Sequence, residues 1–144
     1  MNTFLFTWNP KKWVWENLAK QIREIQTQGY AEQAWSVASH KKVKEGDRAF
    51  LMRVGVAPKG MVASGFVAST PFQVPHWGGK DRMIYQVKLH FDTLLDASQS
   101  PILRLEQLKT GLLSEVNWTP LSSGNMVRPE YVEELERRWR NISS

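Results

Sequence analysis

The sequence contains no cysteine among its 144 residues. Disulfide bonds, thiol nucleophiles and thiolate metal ligands are therefore excluded. A chain without disulfides fits the reducing cytoplasm, so we expect a cytoplasmic location. No apolar run approaches the ~20 residues that cross a bilayer. The first 13 residues also lack the basic and apolar regions of a signal peptide, so no membrane partner is expected.

The sequence also lacks the common catalytic motifs. Its three histidines, His40, His76 and His90, show neither HxxxH nor HExxH spacing. There is no GxGxxG, no GxxxxGK[ST] and no GxSxG. We therefore expect a binding domain with no catalytic residue, no metal site and no cofactor. A small-molecule enzyme is the alternative, and only Asp47, Asp81 and His76 offer themselves as its acid, base or nucleophile.

Positive charge and tryptophan are the two features in excess. The formal net charge is +5, and seven residues are tryptophan. Positive charge favours polyanionic partners, and tryptophan supplies large flat faces on which bases stack. The alternative is an ordinary basic surface around a tryptophan-rich core, as in a protein-interaction domain. The combination indicates nucleic-acid binding.

The order of the elements predicts one α+β domain over residues 1–144. Strands are predicted at Thr3–Trp8, Arg48–Val54, Met61–Ser69 and Ile84–Asp92, with a further extended piece at Glu32–Ser39 and a possible strand at Leu112–Trp118. Helices are predicted at Trp13–Gln28, from Pro101 to Gly111, and from Pro129 onward. About five or six antiparallel strands in so small a domain favour a curled sheet or closed barrel with flanking helices.

Two local patterns sharpen this barrel prediction. Val87, Leu89 and Phe91 alternate with Lys88 and other polar residues, which is typical of a half-buried strand. Gly65 interrupts the Met61–Ser69 strand and predicts either a bulge or the close approach of another backbone.

Aromatic residues and short polar residues are neighbours at three places in the chain. Trp8 and Asn9 end the first strand, Trp35 and Ser36 precede a basic loop, and Trp77 lies in the loop from Pro71 to Arg82. A base-binding pocket needs such aromatic walls and polar edge readers. Trp118 precedes a turn-rich loop and is a further candidate for the pocket. The remaining tryptophans, which fall in predicted helices, are expected to pack in the core; they are Trp13, Trp15 and Trp139.

Cationic residues lie beside these aromatic residues, in loops or at the ends of elements. Cations in such places are suited to phosphate contacts, which position a nucleic acid without reading its sequence. The candidate phosphate contacts are Lys11, Lys12, His40, Lys41, Lys42, Lys80 and Arg82.

Several of these segments together resemble the EVE domain of the PUA-like superfamily, to which YTH domains are related. The residues that carry the resemblance are Trp8-Asn9, Trp35-Ser36 before KKVKEGD, the MVASGFVAS strand, Trp77, and the NW-P--SG stretch of Asn117, Trp118, Pro120, Ser123 and Gly124. The last stretch is similar to EVE domains found at the N-terminus of modification-dependent HNH endonucleases. The resemblance implies a small PUA-like β-barrel whose pocket receives a modified base.

The resemblance also implies roles for single residues. Trp35 looks like one stacking wall with Ser36 as an edge reader, Trp77 resembles the second wall, and Trp8 and Asn9 line the pocket. The expected partner is double-stranded DNA carrying a modified cytosine, such as methyl- or hydroxymethylcytosine, within a restriction system. A reader of methyladenine-type modified RNA is the alternative. The three histidines cannot assemble an HNH motif, so any nuclease is a fused or associated domain.

Overall fold

The computed structural model describes residues 1–76 and 82–143. In this part of the chain, eight strands form one mixed sheet in the order β2-β6-β4-β3-β1-β8, with β5 beside β6 and β7 beside β4. The strands are β1 (Thr3–Trp8), β2 (Ala31–Ser36), β3 (Arg48–Arg53), β4 (Gly60–Val67), β5 (Phe72–Pro75), β6 (Met83–Leu94), β7 (Leu103–Arg104) and β8 (Asn125–Val127). The helices are α1 (Leu18–Gln28), α2 (Leu105–Leu108) and α3 (Pro129–Ser143).

The two ends of this strand order meet and close the sheet. Beyond β2, the N–H of Ala38 donates to the carbonyl of Ser123 at 2.7 Å, and that of Ser39 donates to Gly124 at 3.1 Å. The N–H of Gly124 in turn donates to Leu5 of β1 at 2.9 Å. The predicted α+β barrel with flanking helices is therefore confirmed. It has more strands than the predicted five or six, because β5, β7 and β8 are too short to show an alternating pattern.

The barrel interior holds the first hydrophobic core. Every second residue of β1 points inward, and so do Val87, Leu89 and Phe91 of β6, as the alternation predicted. Helix α1 packs against β2 and β6 and covers one side of this core.

A second core lies outside the barrel, between the sheet and α3. It is formed by the other faces of β1, β3 and β4, including Leu5, Phe50 and Met61, and by Leu135 and Trp139 of α3. Because both faces of these strands are covered, their sequences are almost continuously apolar.

Arg48 joins the barrel to α3. Its guanidinium donates to Asp92 of β6 at 2.8 Å and to Glu136 of α3 at 2.9 Å. Burial disfavours the charged guanidinium, but the hydrogen bonds to Glu136 and Asp92 outweigh this effect and raise the pKa of Arg48. This ion-pair network fixes α3 over the second core.

Gly65 meets both halves of its prediction. The β4–β6 register shifts between Ser64 and Gly65, and a Cβ at Gly65 would collide with the backbone carbonyl of His90. Only glycine permits this approach of the two strands.

Helix α1 begins at Leu18, five residues later than the predicted start at Trp13. The N–H groups of Lys12 and Trp13 both donate to the carbonyl of Asn9 and form a tight turn there. The helical spacing of Val14 with Leu18 misled the prediction, because Val14 is exposed and belongs to no helix.

The predicted strand at Leu112–Trp118 was wrong. Residues Gly111–Glu115 form a 3₁₀ turn instead, with Gly111 at a φ of 60°. The turn directs Leu113 into the second core. The helix predicted from Pro101 is shortened to α2, because Leu103 and Arg104 pair with β4 as β7. No helix in the described ranges is long and apolar enough to span a membrane.

Candidate nucleic-acid interface

One end of the barrel opens into a cavity of about 870 Å³. The strands β1, β2 and β3 end here, and β6 begins here. Two further segments border the opening, residues 9–13 after β1 and residues 119–123 before β8. The lining consists of Thr7, Trp8, Asn9, Lys12, Trp13, Gln33, Ala34, Trp35, Ser36, Val54, Ile84, Gln86, Thr119, Pro120, Leu121 and Ser123. The volume lies within the range of small-molecule and cofactor sites.

Four tryptophans form a packed cluster at the base of this cavity. The ring of Trp35 lies 5.4 Å from Trp13 at 87° and 5.2 Å from Trp15 at 49°. Trp8 meets Trp15 edge-on at 5.2 Å. The indole N–H of Trp8 donates to the carbonyl of Trp13, and that of Trp35 donates to the carbonyl of Thr7. These contacts fix the walls before any ligand arrives.

Exposure separates the members of this cluster. Trp35, the predicted stacking wall, lines the cavity but is only 8 % exposed, because Trp13, Trp15 and Phe91 enclose its ring. Trp13 is 42 % exposed and lines the same cavity. The prediction that Trp13 lies in a helix was wrong, whereas the predicted packing is present in its contacts with Trp15 and Trp35. Trp13 is the most exposed of the described tryptophans and therefore the best candidate for stacking.

Polar groups surround these aromatic walls. Ser36 and Gln86 form a cross-strand pair of β2 and β6 at the cavity lining. The hydroxyl of Ser123 accepts the backbone N–H of Thr7 at 2.9 Å, and the carboxamide oxygen of Asn9 accepts that of Lys11 at 3.0 Å. Serine, glutamine and asparagine can read the donor and acceptor pattern of a base edge. The structure places the predicted Ser36 and Asn9 together with Gln86 and Ser123, which the sequence did not reveal.

Trp118 is not part of the cavity, which corrects its assignment to the pocket. It is 1 % exposed and packs in the second core. Its indole N–H donates to the carbonyl of Leu113 at 2.9 Å. The buried Trp118 thus fixes the start of the segment 119–123. The next two residues, Thr119 and Pro120, line the cavity.

The predicted cations differ in their positions relative to the cavity. Lys12 lines it, and Lys11 is exposed beside it. Lys41 and Lys42 are exposed in the loop that follows Ser36, and His40 of this loop stacks on Tyr85 with ring centroids 3.7 Å apart. Arg82 is exposed before β6. Trp77 and Lys80 lie outside the described residues.

Asp47, one candidate acid or base of the enzyme alternative, has a structural role. Asp47 is buried, and its carboxylate accepts the backbone N–H groups of Asn2 and Lys44 at 3.0 and 2.9 Å. It therefore stabilises the turn before β3. Asp81 lies outside the described residues. Within residues 1–76 and 82–143, no cluster of three or more His, Asp and Glu side chains could hold a metal ion.

The architecture is similar to several solved structures over almost its whole length. A structural-genomics protein from Rhodopseudomonas palustris has a TM-score of 0.67 at 18 % identity, covering 100 % of this chain and 97 % of its own. A hypothetical protein from Leishmania major has a TM-score of 0.64 at 16 % identity, covering 98 % and 96 %. A protein from Pseudomonas syringae has a TM-score of 0.63 at 16 % identity, covering 94 % and 99 %.

These comparisons show the fold of the chain. The chain has the α+β fold of these solved structures, a mixed sheet with three helices. This fold is the one that the resemblance to EVE domains predicted. No protein-family model matches the chain, and no curated protein matches it by sequence.

Proposed function

We propose that this domain is a nucleic-acid-binding reader that recognises a modified base, a methyl- or hydroxymethylcytosine in double-stranded DNA, flipped out of the helix. The observation that carries this proposal is the cavity at the end of the barrel. It combines the partly exposed Trp13, hydrogen-bonding side chains on β2 and β6, and Lys12 with its exposed neighbour Lys11. A flat base can stack on the tryptophan, and the side chains on β2 and β6 can hydrogen-bond to its edge. The lysines can contact the phosphates that flank the nucleotide.

The free-energy cost of extruding a base and the gain from stacking it on tryptophan are similar in size. Extruding a base costs a few kcal/mol, and stacking on an aromatic side chain contributes roughly 1–3 kcal/mol per base. Trp13 alone therefore does not guarantee binding. Hydrogen bonds from Ser36 or Gln86 to the base edge, and contacts of lysines with flanking phosphates, supply the remainder.

The proposed role is recognition without catalysis. In a modification-dependent restriction system, a fused or associated nuclease would then cut the DNA that this domain marks. No step of base recognition requires a metal or a redox cofactor, because stacking and hydrogen bonding suffice.

A binding panel tests the proposal. Identical duplexes carrying cytosine, 5-methylcytosine or 5-hydroxymethylcytosine at one position are titrated by fluorescence anisotropy at matched salt. We expect one modified duplex to bind about tenfold or more tightly than the plain one, since a methyl group enclosed by apolar walls contributes about 1–3 kcal/mol. Equal affinity for all three duplexes would contradict the modified-base proposal.

The same panel separates the alternatives. An RNA oligonucleotide containing methyladenine is included beside its plain counterpart. Tighter binding of this RNA than of any modified DNA would replace DNA with RNA as the partner and leave the pocket proposal intact. Turnover of a nucleoside substrate, measured separately by product chromatography, would instead favour a small-molecule enzyme.

A further inference from the structure

Leu121 is the most exposed large hydrophobic residue that the structure describes. It retains 108 % of its reference solvent-accessible area. Leaving a leucine side chain in water forgoes about 1.5–3 kcal/mol that burial would supply. The residue also lines the mouth of the cavity that holds Trp13 and Trp35. A ligand that fills the cavity would lie close to this apolar side chain.

The segment that carries Leu121 is anchored on both sides. Trp118 is sealed in the second core on one side. On the other side, the side-chain amide of Asn125 donates to the carbonyl of Ser122 at 2.8 Å. Ser123 follows directly, and its carbonyl and hydroxyl accept the backbone N–H groups of Ala38 and Thr7. Hydrogen bonds and core packing thus hold the loop that carries Leu121 in a fixed position relative to the cavity.

Gly124 holds this segment against the barrel. Its φ is 82°, and a Cβ there would lie 2.6 Å from the Cα of Val37. Only glycine allows the segment to approach β2 so closely. The same contact places Leu121 on one border of the cavity, while Trp13 comes from the segment after β1 on another.

We propose that Leu121 is a wedge that enters the DNA base stack next to the flipped nucleotide and fills the space that the base has left. The inference rests on the proposed base-reading function and specifies its substrate as duplex rather than single-stranded nucleic acid. Proteins that distort duplexes insert apolar side chains such as leucine between base steps. The bases on either side of the gap then cover the leucine instead of water.

The charges around the opening suit this partner. Lys12 lines the cavity, Lys11 is its exposed neighbour, and Lys41 and Lys42 are exposed in the loop that follows the cavity residue Ser36. These cations can contact the phosphates that flank an extruded nucleotide. An apolar projection amid cations matches a base stack between two phosphate backbones better than it matches an apolar protein surface.

The test compares Leu121→Ala with wild type on three probes. They are a 5-hydroxymethylcytosine or 5-methylcytosine duplex, the same modified strand alone, and the duplex with an abasic site opposite the modified base. We expect Leu121→Ala to weaken binding of the intact duplex by about tenfold. Binding of the single strand should change less than about twofold, because a single strand has no stack to hold open. The abasic duplex should lie between them.

Leu112→Ala is the matched control, because Leu112 is also an exposed leucine but lies in the 3₁₀ turn outside the cavity lining. It should leave all three affinities unchanged. Equal losses of Leu121→Ala on duplex and single strand would overturn the wedge, because they indicate simple packing against the base. No loss on either probe would overturn it as well.

The wedge and the reader proposals can fail separately. If wild type prefers a modified base but Leu121→Ala binds the duplex normally, only the wedge is wrong. If wild type shows no preference for either modified cytosine in any probe, the reader proposal is wrong and the wedge falls with it. Loss of a wild-type dimer in Leu121→Ala, measured by analytical ultracentrifugation, would assign the leucine to self-association instead.

Discussion

Two groups of tryptophans occupy opposite sides of the sheet and do different work. Trp8, Trp13, Trp15 and Trp35 pack at the open end of the barrel. Trp118 and Trp139 fill the second core beneath α3. Hydrogen bonding does not separate the groups, because the indole N–H groups of Trp8, Trp35 and Trp118 all donate to backbone carbonyls.

Trp13 of the first group is the only described tryptophan with a substantially exposed side chain. Trp13 borders a cavity, while Trp118 and Trp139 are sealed between the sheet and α3. A tryptophan in a closed core stabilises the fold through its buried area, and one at a cavity can offer a face to a ligand. The number of tryptophans in a sequence therefore does not locate a binding site. Substitutions should separate stability from binding along this division.

The largest expected effect is on stability, for Trp118→Ala. Removing this buried ring should lower the free energy of unfolding by about 3–5 kcal/mol through lost transfer energy and a cavity. Urea denaturation followed by circular dichroism measures the change. Trp118→Phe should cost clearly less, because it keeps most of the buried area. A loss below about 1 kcal/mol for Trp118→Ala would contradict the contrast between the two groups.

Trp13→Ala should show the opposite profile. Modified-base affinity should fall by roughly 1–3 kcal/mol, the contribution of one base stacked on an aromatic ring. The free energy of unfolding should change much less than for Trp118→Ala, because Trp13 is half-exposed and its backbone carbonyl still accepts the Trp8 indole N–H. Anisotropy titration and urea denaturation of the same preparation test both statements. Normal affinity in this variant would remove Trp13 from the pocket.

Replacing Lys41 and Lys42 together by alanine should affect all DNA alike. We expect weaker binding to modified and plain duplexes by the same factor, and a slope of log affinity against log salt that is smaller by about 1–2. Titrations at several salt concentrations provide the slopes. The matched control is Lys109→Ala with Arg140→Ala, which removes the same charge from the side of α2 and α3. A change in the preference for modified DNA would show that the two lysines read the base.

The smallest expected effect is the pH dependence of α3. Hydrogen bonds from Arg137 and Arg138 lower the pKa of Glu134 from 4.5 to about 2. A lowered pKa in the folded state stabilises the protein above pH 4.5, and this contribution disappears as the pH falls towards 2. Glu134→Gln should therefore flatten the acid side of the stability curve, measured by urea denaturation between pH 2 and 5.

Glu133→Gln serves as the control for that experiment, because it removes the same charge from an exposed position of the same helix. Neither variant should alter base preference at neutral pH, since both residues lie outside the cavity lining. If the free energy of unfolding of Glu134→Gln falls between pH 5 and pH 2 as it does in wild type, the ion pairs with Arg137 and Arg138 do not contribute to stability in solution.

The segments with a regular pattern were predictable and the irregular ones were not. The alternation in β6, the apolar run of β3 and the helix from Pro129 all follow from periodicity within a single element. Residues 13–17 were predicted as helix from the apolar spacing but precede it, because the N–H groups of Lys12 and Trp13 both donate to the carbonyl of Asn9 in a tight turn. That error moved Trp13 from the cavity to a helix and hid the most accessible stacking face.

The α+β class and the strands β1, β3, β4 and β6 could be predicted from the amino-acid sequence, because local periodicity reports on neighbours along the chain. The sequence also placed Trp8, Asn9, Trp35 and Ser36 among the cavity residues. The exposure of each tryptophan could be read only from the three-dimensional structure, because the residues that cover a side chain are often far away in the sequence. Trp118 is sealed by the α3 layer, whereas nothing described covers Leu121. Contacts of this kind leave no periodic trace in the amino-acid sequence.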